Sequence, residues 1–225
     1  MKKRAIVTDS KRRPAVDAKT LAKAPHPLVG AQFMLGVAEG WQLPAEGAPE
    51  IAFAGRSNSG KSSAINALAN HGGLAFASKT PGRTQQINFF ALRSGALIAD
   101  LPGYGYAAVA KSLKRDWQEF LWRYVTTRDR LIALVLLVDA RHGLTEADYP
   151  LMAEFVPSGR PVLVLATKAD KLGTAAQRAA KAAIEAQLDE AFPGGAANVI
   201  VQLFSATTRQ GVTEAEATIA VWVPG

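Results

Sequence analysis

The 225-residue sequence contains no cysteine, which excludes disulfide scaffolds and thiolate metal sites and fits a reducing compartment. Long apolar runs are also absent. The longest, Leu131 to Val138, is too short to cross a bilayer, so no membrane partner is expected. No apolar segment follows the basic N-terminus, so no secretory signal is expected either. A hydrophobic content of 48% is ample for one well-buried core, which argues against disorder of the whole chain. No internal repeat or low-complexity segment appears beyond an Ala-rich stretch near Ala175 to Ala186.

Acidic residues are scarce where basic ones gather. Met1 to Lys23 hold eight Lys/Arg against two Asp, whereas Ala24 to Gly55 hold three Glu and no base. Arg56 to His142 carry twelve basic residues against five acids, and Gly143 to Gly225 six against nine. The net charge of +7 therefore sits in a tail and in the middle of the chain. Residues 1–24, without apolar periodicity, read as a basic flexible arm that is either simply solvated or touches nucleic acid. Asp9 and Asp17 count against an organellar transit peptide. Residues 25–49 read as an N-terminal extension and 50–225 as the folded domain.

From Glu50 onward, strand-like and helix-like segments alternate, which predicts an α/β fold with a mostly parallel sheet. The expected strands are Ile51–Ala54, Ile87–Leu92, Leu97–Ala99, Ile132–Val138, Val162–Ala166 and Val199–Leu203. Only Arg93 to Ala96 separate the second and third, so that pair should form an antiparallel hairpin. The prediction is thus a six-stranded sheet with one antiparallel edge strand and helices on both faces. Leu113, Trp117, Phe120, Leu121, Tyr124 and Val125 share a helical face, as do Ala180, Ile184, Gln187, Leu188 and Ala191. Thr145 with Asp148, and Thr213 with Glu216, have the spacing of capping boxes.

Gly55-Arg56-Ser57-Asn58-Ser59-Gly60-Lys61-Ser62 matches G-x-x-x-x-G-K-[ST] between an apolar strand and a helix, the context a P-loop requires. Its glycines let backbone N–H groups turn toward phosphate oxygens at a helix N-terminus. Lys61 should reach the β- and γ-phosphates and the Ser62 hydroxyl should bind Mg2+, with Ser63 beside it. Asp100-Leu101-Pro102-Gly103 follows a strand, so that Asp100 can hold the metal through water while the Gly103 N–H approaches the γ-phosphate. Between these motifs, Lys79-Thr80-Pro81-Gly82-Arg83-Thr84-Gln85 is a polar loop able to fold over metal and phosphate. Thr84 is the expected second metal hydroxyl, with Thr80 as the alternative; Gly82 and Arg83 complete that part of the site.

Thr167-Lys168-Ala169-Asp170 follows another strand at its carboxyl end, where open α/β sheets bind ligands. The Asp170 carboxylate offers two acceptors to the two N–H groups on the guanine edge, whereas adenine presents an acceptor there. Lys168 can lay its stem along base or ribose. Phe204-Ser205-Ala206 follows the last strand and could bring backbone N–H groups to the guanine carbonyl. GTP and GDP are therefore the expected ligands.

These residues resemble the EngB/YihA/YsxC ribosome-biogenesis GTPases of bacteria, in the class that includes Era. The resemblance runs from about Glu50 to the C-terminus. It rests on Gly55 to Ser63, Thr80 to Gln85, Asp100 to Ala107, Val138 to His142 and Ala166 to Lys171. It implies a single P-loop G domain, acting as a monomer in the cytoplasm on the large ribosomal subunit or its precursor, with a link to septation and cell division. Thr167, where many GTPases have asparagine, is typical of the family. The basic residues Lys79, Arg83, Lys111, Lys114, Arg115, Arg123 and Arg128 could meet rRNA phosphates or form a merely solvated face.

Lys61, Thr84, Gly103 and Asn58 are the candidate catalytic residues. Ras-like GTPases orient the attacking water with a glutamine just after Asp-x-x-Gly, and here that position is Tyr104, so slow intrinsic turnover is expected. Asn58 either helps hold a K+ ion near the phosphates, as in potassium-dependent relatives, or makes a plain loop hydrogen bond. The alternatives to an assembly GTPase are a protein-binding signalling switch and a nucleotide-gated RNA-binding module.

Overall fold

Along the central strands apolar side chains point alternately to opposite sides, because successive residues of a strand face opposite ways. The computed structural model describes residues 27–44, 47–76, 86–104, 111–194 and 196–223, excepting the side chains of 111–118. Its strands are β1 (Gln32–Val37), β2 (Glu50–Gly55), β3 (Ile87–Ala91), β4 (Leu97–Asp100), β5 (Leu131–Asp139), β6 (Val162–Thr167) and β7 (Val199–Leu203). The helices are α1 (Lys61–Leu68), α2 (Lys111–Thr127), α3 (Tyr149–Ser158), α4 (Thr174–Ala191) and α5 (Val212–Ala220).

The seven strands form one sheet in the order β1-β3-β4-β2-β5-β6-β7. β3 runs against β1 and β4, and the other pairs are parallel. The sequence predicts six strands; the seventh is β1, which pairs Val37 with Ile87 at one end and Gln32 with Ala91 at the other. Its Gln-Phe-Met-Leu-Gly-Val has neither strict alternation nor a nearby partner, and a register shift between Phe33 and Leu35 breaks the pattern further. With β1 outside it, β3 makes an antiparallel pair at the sheet edge.

One face of the sheet, with Ile51, Phe53, Val135 and Leu165, is covered by α1 through Ile65 and Leu68 and by α5 through Ala215 and Ile219. The opposite face, with Ala52, Leu134 and Val164, is covered by α2 through Tyr124 and Val125, by α3 through Met152 and Phe155, and by α4 through Ile184 and Leu188. Each fully buried large aliphatic or aromatic side chain contributes about 1.5–3 kcal/mol by leaving water. Among the described residues no helix is long and apolar enough to cross a membrane.

Neither predicted capping box opens its helix. Thr145 donates its N–H (2.8 Å) and hydroxyl (2.7 Å) to Asp148 Oδ2, but α3 begins only after Asp148, with Pro150 in its first turn. The pair thus closes a turn ahead of the helix. α5 starts at Val212 after Gly211, whose φ is +75°, which puts Thr213 inside the helix. A Cβ at Gly211 would lie 2.0 Å from the Leu203 carbonyl oxygen, so the chain enters α5 by a turn open only to glycine.

At the amino end of β2, far from the P-loop, Glu50 is fully buried. It accepts from the Tyr124 hydroxyl at 2.7 Å and from Arg128 Nε at 3.0 Å. Burial, then the Glu50 charge, raises the Tyr124 pKa well above its ordinary value. The ion pair with Arg128 joins the end of α2 to the central strand.

Candidate nucleotide-binding site

The parallel strands deliver their carboxyl ends to one rim of the sheet, and the motif residues sit on the loops that leave it. β2 ends at Gly55, where a Cβ would come within 2.5 Å of Ser59 Oγ and 2.7 Å of the Leu137 carbonyl. Only glycine lets the following loop lie this close to β5. Asn58 (φ 65°) and Gly60 (φ 91°) take left-handed conformations, and α1 begins at Lys61. Arg56, Ser57, Asn58 and Ser63 are exposed and Ser62 is half-buried in the first turn of α1. Ser59 is buried, and its Oγ has no hydrogen-bond partner among the described residues.

The Asp100 segment is folded against this loop. Asp100 ends β4, and Lys61 Nζ donates directly to its Oδ1. Leu101 is buried and anchors its N–H on the Phe53 carbonyl at 2.9 Å. Pro102 and Gly103 are half-buried. A Cβ on Gly103 would press on the Ser57 backbone at 3.2 Å, so a side chain there would push the two loops apart. Ser57 donates its N–H to the Tyr104 carbonyl at 3.1 Å.

The Tyr104 side chain reaches the turn before α3 instead of the phosphate loop. Its hydroxyl donates to Asp148 Oδ1 at 2.6 Å, while Asp148 Oδ2 takes the two Thr145 donors. Burial, then the Asp148 charge, raises the Tyr104 pKa strongly, so the phenol stays a neutral donor. Sequence reasoning registers Tyr104 only as a missing glutamine; its partner lies 44 residues away.

The Thr167–Asp170 loop approaches from β6. The Thr167 hydroxyl is shared between the carbonyls of Ser59 (2.6 Å) and Val138 (3.1 Å), which ties this loop to the P-loop and to β5. Lys168, with a φ of 57°, sends its Nζ to the Asn58 carbonyl (2.7 Å) and to Asp139 Oδ2 (3.0 Å). Ala169 is buried, donating to the Phe204 carbonyl at 3.1 Å, and Phe204 is itself fully buried.

Asp170 Oδ1 accepts from the Ser205 hydroxyl at 2.6 Å, and Lys171 Nζ stands 3.3 Å from Oδ2. The Ser205 hydrogen bond, more than Lys171, holds the Asp170 pKa below the ordinary carboxylate value. The Ser205 N–H is taken by the Gln210 carbonyl at 2.9 Å. That points the expected backbone donation toward Ala206, which is half-buried on the same turn.

The structure thus brings together Gly55 to Ser63, Asp100 to Gly103, Thr167 to Asp170 and Phe204 to Ala206. Gly82, Arg83 and Thr84, with the alternative Thr80, lie outside the described residues, as does the arm of residues 1–24. Asp139 and Arg141 are additions. They belong to the Val138 to His142 segment, whose pairing with Lys168 no local pattern announces.

The donors present suit Mg2+. Ser62, next to Lys61 in the chain, and Asp100, the partner of Lys61, offer hard oxygens. Among the described residues no group of three or more His, Cys, Asp or Glu could hold a metal. Mg2+ is commonly bound without such a group, through one or two protein oxygens plus phosphate oxygens.

A family model described as "50S ribosome-binding GTPase" matches residues 50–168. The "Probable GTP-binding protein EngB" of Azoarcus sp. (strain BH72) is 50% identical over 193 residues, covering 86% of this chain and 91% of that protein. Among solved structures, a probable GTP-binding protein EngB has a TM-score of 0.56 at 22% identity, over 77% of this chain and 96% of that one. A single-residue variant of Aquifex aeolicus Era bound to GDP·AlF4− has a TM-score of 0.58 at 22% identity, over 79% and 57% respectively. These last two speak for the fold. With half the aligned residues identical over 91% of a relative's length, and with the P-loop motif and the Thr167–Asp170 loop on one rim, the chain belongs to the EngB family of GTP-binding P-loop GTPases.

Proposed function

We propose that this GTPase is a nucleotide-dependent assembly factor for the large ribosomal subunit, hydrolysing GTP slowly and binding rRNA or ribosomal particles through its switch region. Residues 50–225 form the G domain, residues 1–24 a basic arm and residues 25–49 an extension. The protein acts as a monomer in the cytoplasm. The observation that carries the ribosomal reading is the match to a 50S ribosome-binding GTPase over residues 50–168.

Lys61 and the P-loop N–H groups bind the β- and γ-phosphates, and Asp170 selects guanine by accepting from its two N–H groups. Ser62, Thr84 and, through water, Asp100 would hold Mg2+, which would supply positive charge to the phosphoryl oxygens. Lys61 and Asp100, paired directly with each other, would have to part for Lys61 to reach phosphate and Asp100 to serve the metal. Gly103 offers its N–H to the γ-phosphate, which its close seat on Ser57 supports.

Slow turnover follows from Tyr104: its hydroxyl is engaged by Asp148 and does not orient an attacking water. A K+ ion beside Asn58 would compensate phosphate charge instead. Equal turnover in K+ and Na+, for the parent and for Asn58→Ala, would remove that ion from the mechanism. Sedimentation with large-subunit precursors tests the central reading. Co-sedimentation is expected with a GTP analogue, weaker with GDP, and weaker as salt rises. Binding indifferent to nucleotide and salt would overturn it, and absence of binding would favour a protein-binding switch.

A further inference from the structure

We propose that Asp139 is a positioning residue for the base end of the site: it holds the Lys168 ammonium between β5 and the P-loop, so that the lysine stem forms a fixed wall for guanine. The inference rests on the reading of Thr167 to Asp170 as the base-recognition loop.

Asp139 is the last residue of β5 and pairs in register with Thr167 of β6, so the residue just before Lys168 lies directly beside it. The aspartate is itself held firmly. Arg141 gives Oδ1 its N–H at 3.1 Å and its Nε at 2.9 Å, and gives Oδ2 its Nη2 at 2.7 Å. The turn carrying Arg141 is closed by the N–H groups of His142 (2.9 Å) and Gly143 (3.2 Å) on the Asp139 carbonyl. Gln187 of α4 clamps the next residue, accepting from the Leu144 N–H at 3.0 Å and donating to its carbonyl at 3.1 Å.

Lys168 Nζ completes the acceptor set of the carboxylate and gives a second donor to the Asn58 carbonyl. Both ends of the lysine side chain are therefore tied, one by its backbone turn and one by two acceptors on different loops. A stem held in this way loses little further freedom when a base packs along it. Arg141 keeps Asp139 ionised, the arginine hydrogen bond being the leading cause of its depressed pKa. An uncharged residue at position 139 would leave two cations facing each other and free the lysine.

The test measures GDP dissociation constants and single-turnover and steady-state GTP cleavage on the full chain. The variants are Asp139→Asn, Lys168→Ala, their double, and Arg141→Gln. Asp139→Asn is expected to weaken GDP binding about tenfold, and no further loss is expected when Lys168→Ala is already present. KM for GTP should rise by the same factor, with kcat changed less than about twofold. Arg141→Gln, which keeps the carboxylate on Lys168, should show a smaller loss of the same kind. Thermal melting without nucleotide separates a folding defect, and Arg141→Gln then carries the test.

Independent, multiplying effects of Asp139→Asn and Lys168→Ala would overturn the proposal, as would unchanged GDP affinity or a loss confined to kcat. Asp170→Asn is the control for the parent reading. If it leaves GDP binding intact, the base-loop assignment fails. If it weakens GDP while Asp139→Asn does not, only the present inference fails.

Discussion

At the proposed base end of this site the polar groups are held by several partners on neighbouring loops, whereas at the proposed phosphate end Lys61 and Asp100 are held by each other. At the base end, Thr167, Ser205 and the N–H of Ala169 donate to acceptors on neighbouring strands and loops. On the proposed reading of Asp170, its contacts with Ser205 and Lys171 would hold the carboxylate in place for a base. At the proposed phosphate end, Lys61 and Asp100 satisfy each other, although under the proposed function each would need another partner. Under the proposed function the base end is organised in advance, whereas the phosphate end would exchange contacts, as a nucleotide-state sensor requires.

The comparison can be broken most forcefully at Lys61. Lys61→Ala removes the cation that starts α1 and faces Asp100, and should lower GTP turnover by about two to three orders of magnitude. Single-turnover phosphate release measures it, and turnover near the parental value would end the phosphate assignment. Glu50→Ala makes the opposite case, since it removes the buried acceptor of Arg128 and Tyr124 at the far end of β2. Stability should fall by about 3 kcal/mol, with GDP affinity unchanged, as read by denaturant unfolding and nucleotide titration. A loss of affinity exceeding the loss of stability would mean that this end is coupled to the site.

Asp170→Asn replaces two acceptors with one acceptor and one donor, so GDP affinity should drop roughly tenfold to a hundredfold. Xanthosine diphosphate, which presents a carbonyl where guanine has its amino group, should gain; a loss for both nucleotides would point to a collapsed loop. Tyr104→Phe deletes a charge-assisted bond to buried Asp148 and should cost about 1–3 kcal/mol of stability. Turnover should hold, because the hydroxyl is committed away from the phosphates. A tyrosine that orients water would instead show the loss in kcat.

The smallest effect concerns pH. Asp170 has a depressed pKa caused first by Ser205. Its contribution is present above the ordinary carboxylate value and lost as pH falls through the lower, folded value. The Asp170 contribution to GDP affinity, taken as the difference between the parent and Asp170→Asn, should stay level from about pH 8 to about pH 5, with its acid limb moving upward in Ser205→Ala. Nucleotide titrations extended below that range would expose an unmoved limb.

Local patterning made most of the fold legible. The six strands expected from sequence all form, with their ends shifted by a residue or so, because β-branched and aliphatic runs bounded by turns specify buried strands. β1 escaped because Gly36 and the irregular register remove the period-2 signal, and its partner β3 lies far along the chain. The capping boxes were misplaced since Thr-x-x-Asp closes a turn as readily as it opens a helix. Glycine took the cap of α5.

The sequence by itself determined which local motifs line the candidate site. A P-loop, an Asp-x-x-Gly segment and a Thr-Lys-x-Asp loop each lie at the end of a strand, and each is a run of a few consecutive residues whose proposed role can be read locally. Only the tertiary structure decided the partners: Lys168 with Asn58 across 110 residues, Thr167 with Ser59 across 108 and Tyr104 with Asp148 across 44. The reason is physical. Strand order, not chain order, sets which loops meet at the rim of a parallel sheet, and a polar side chain can bond to whichever loop the sheet puts beside it.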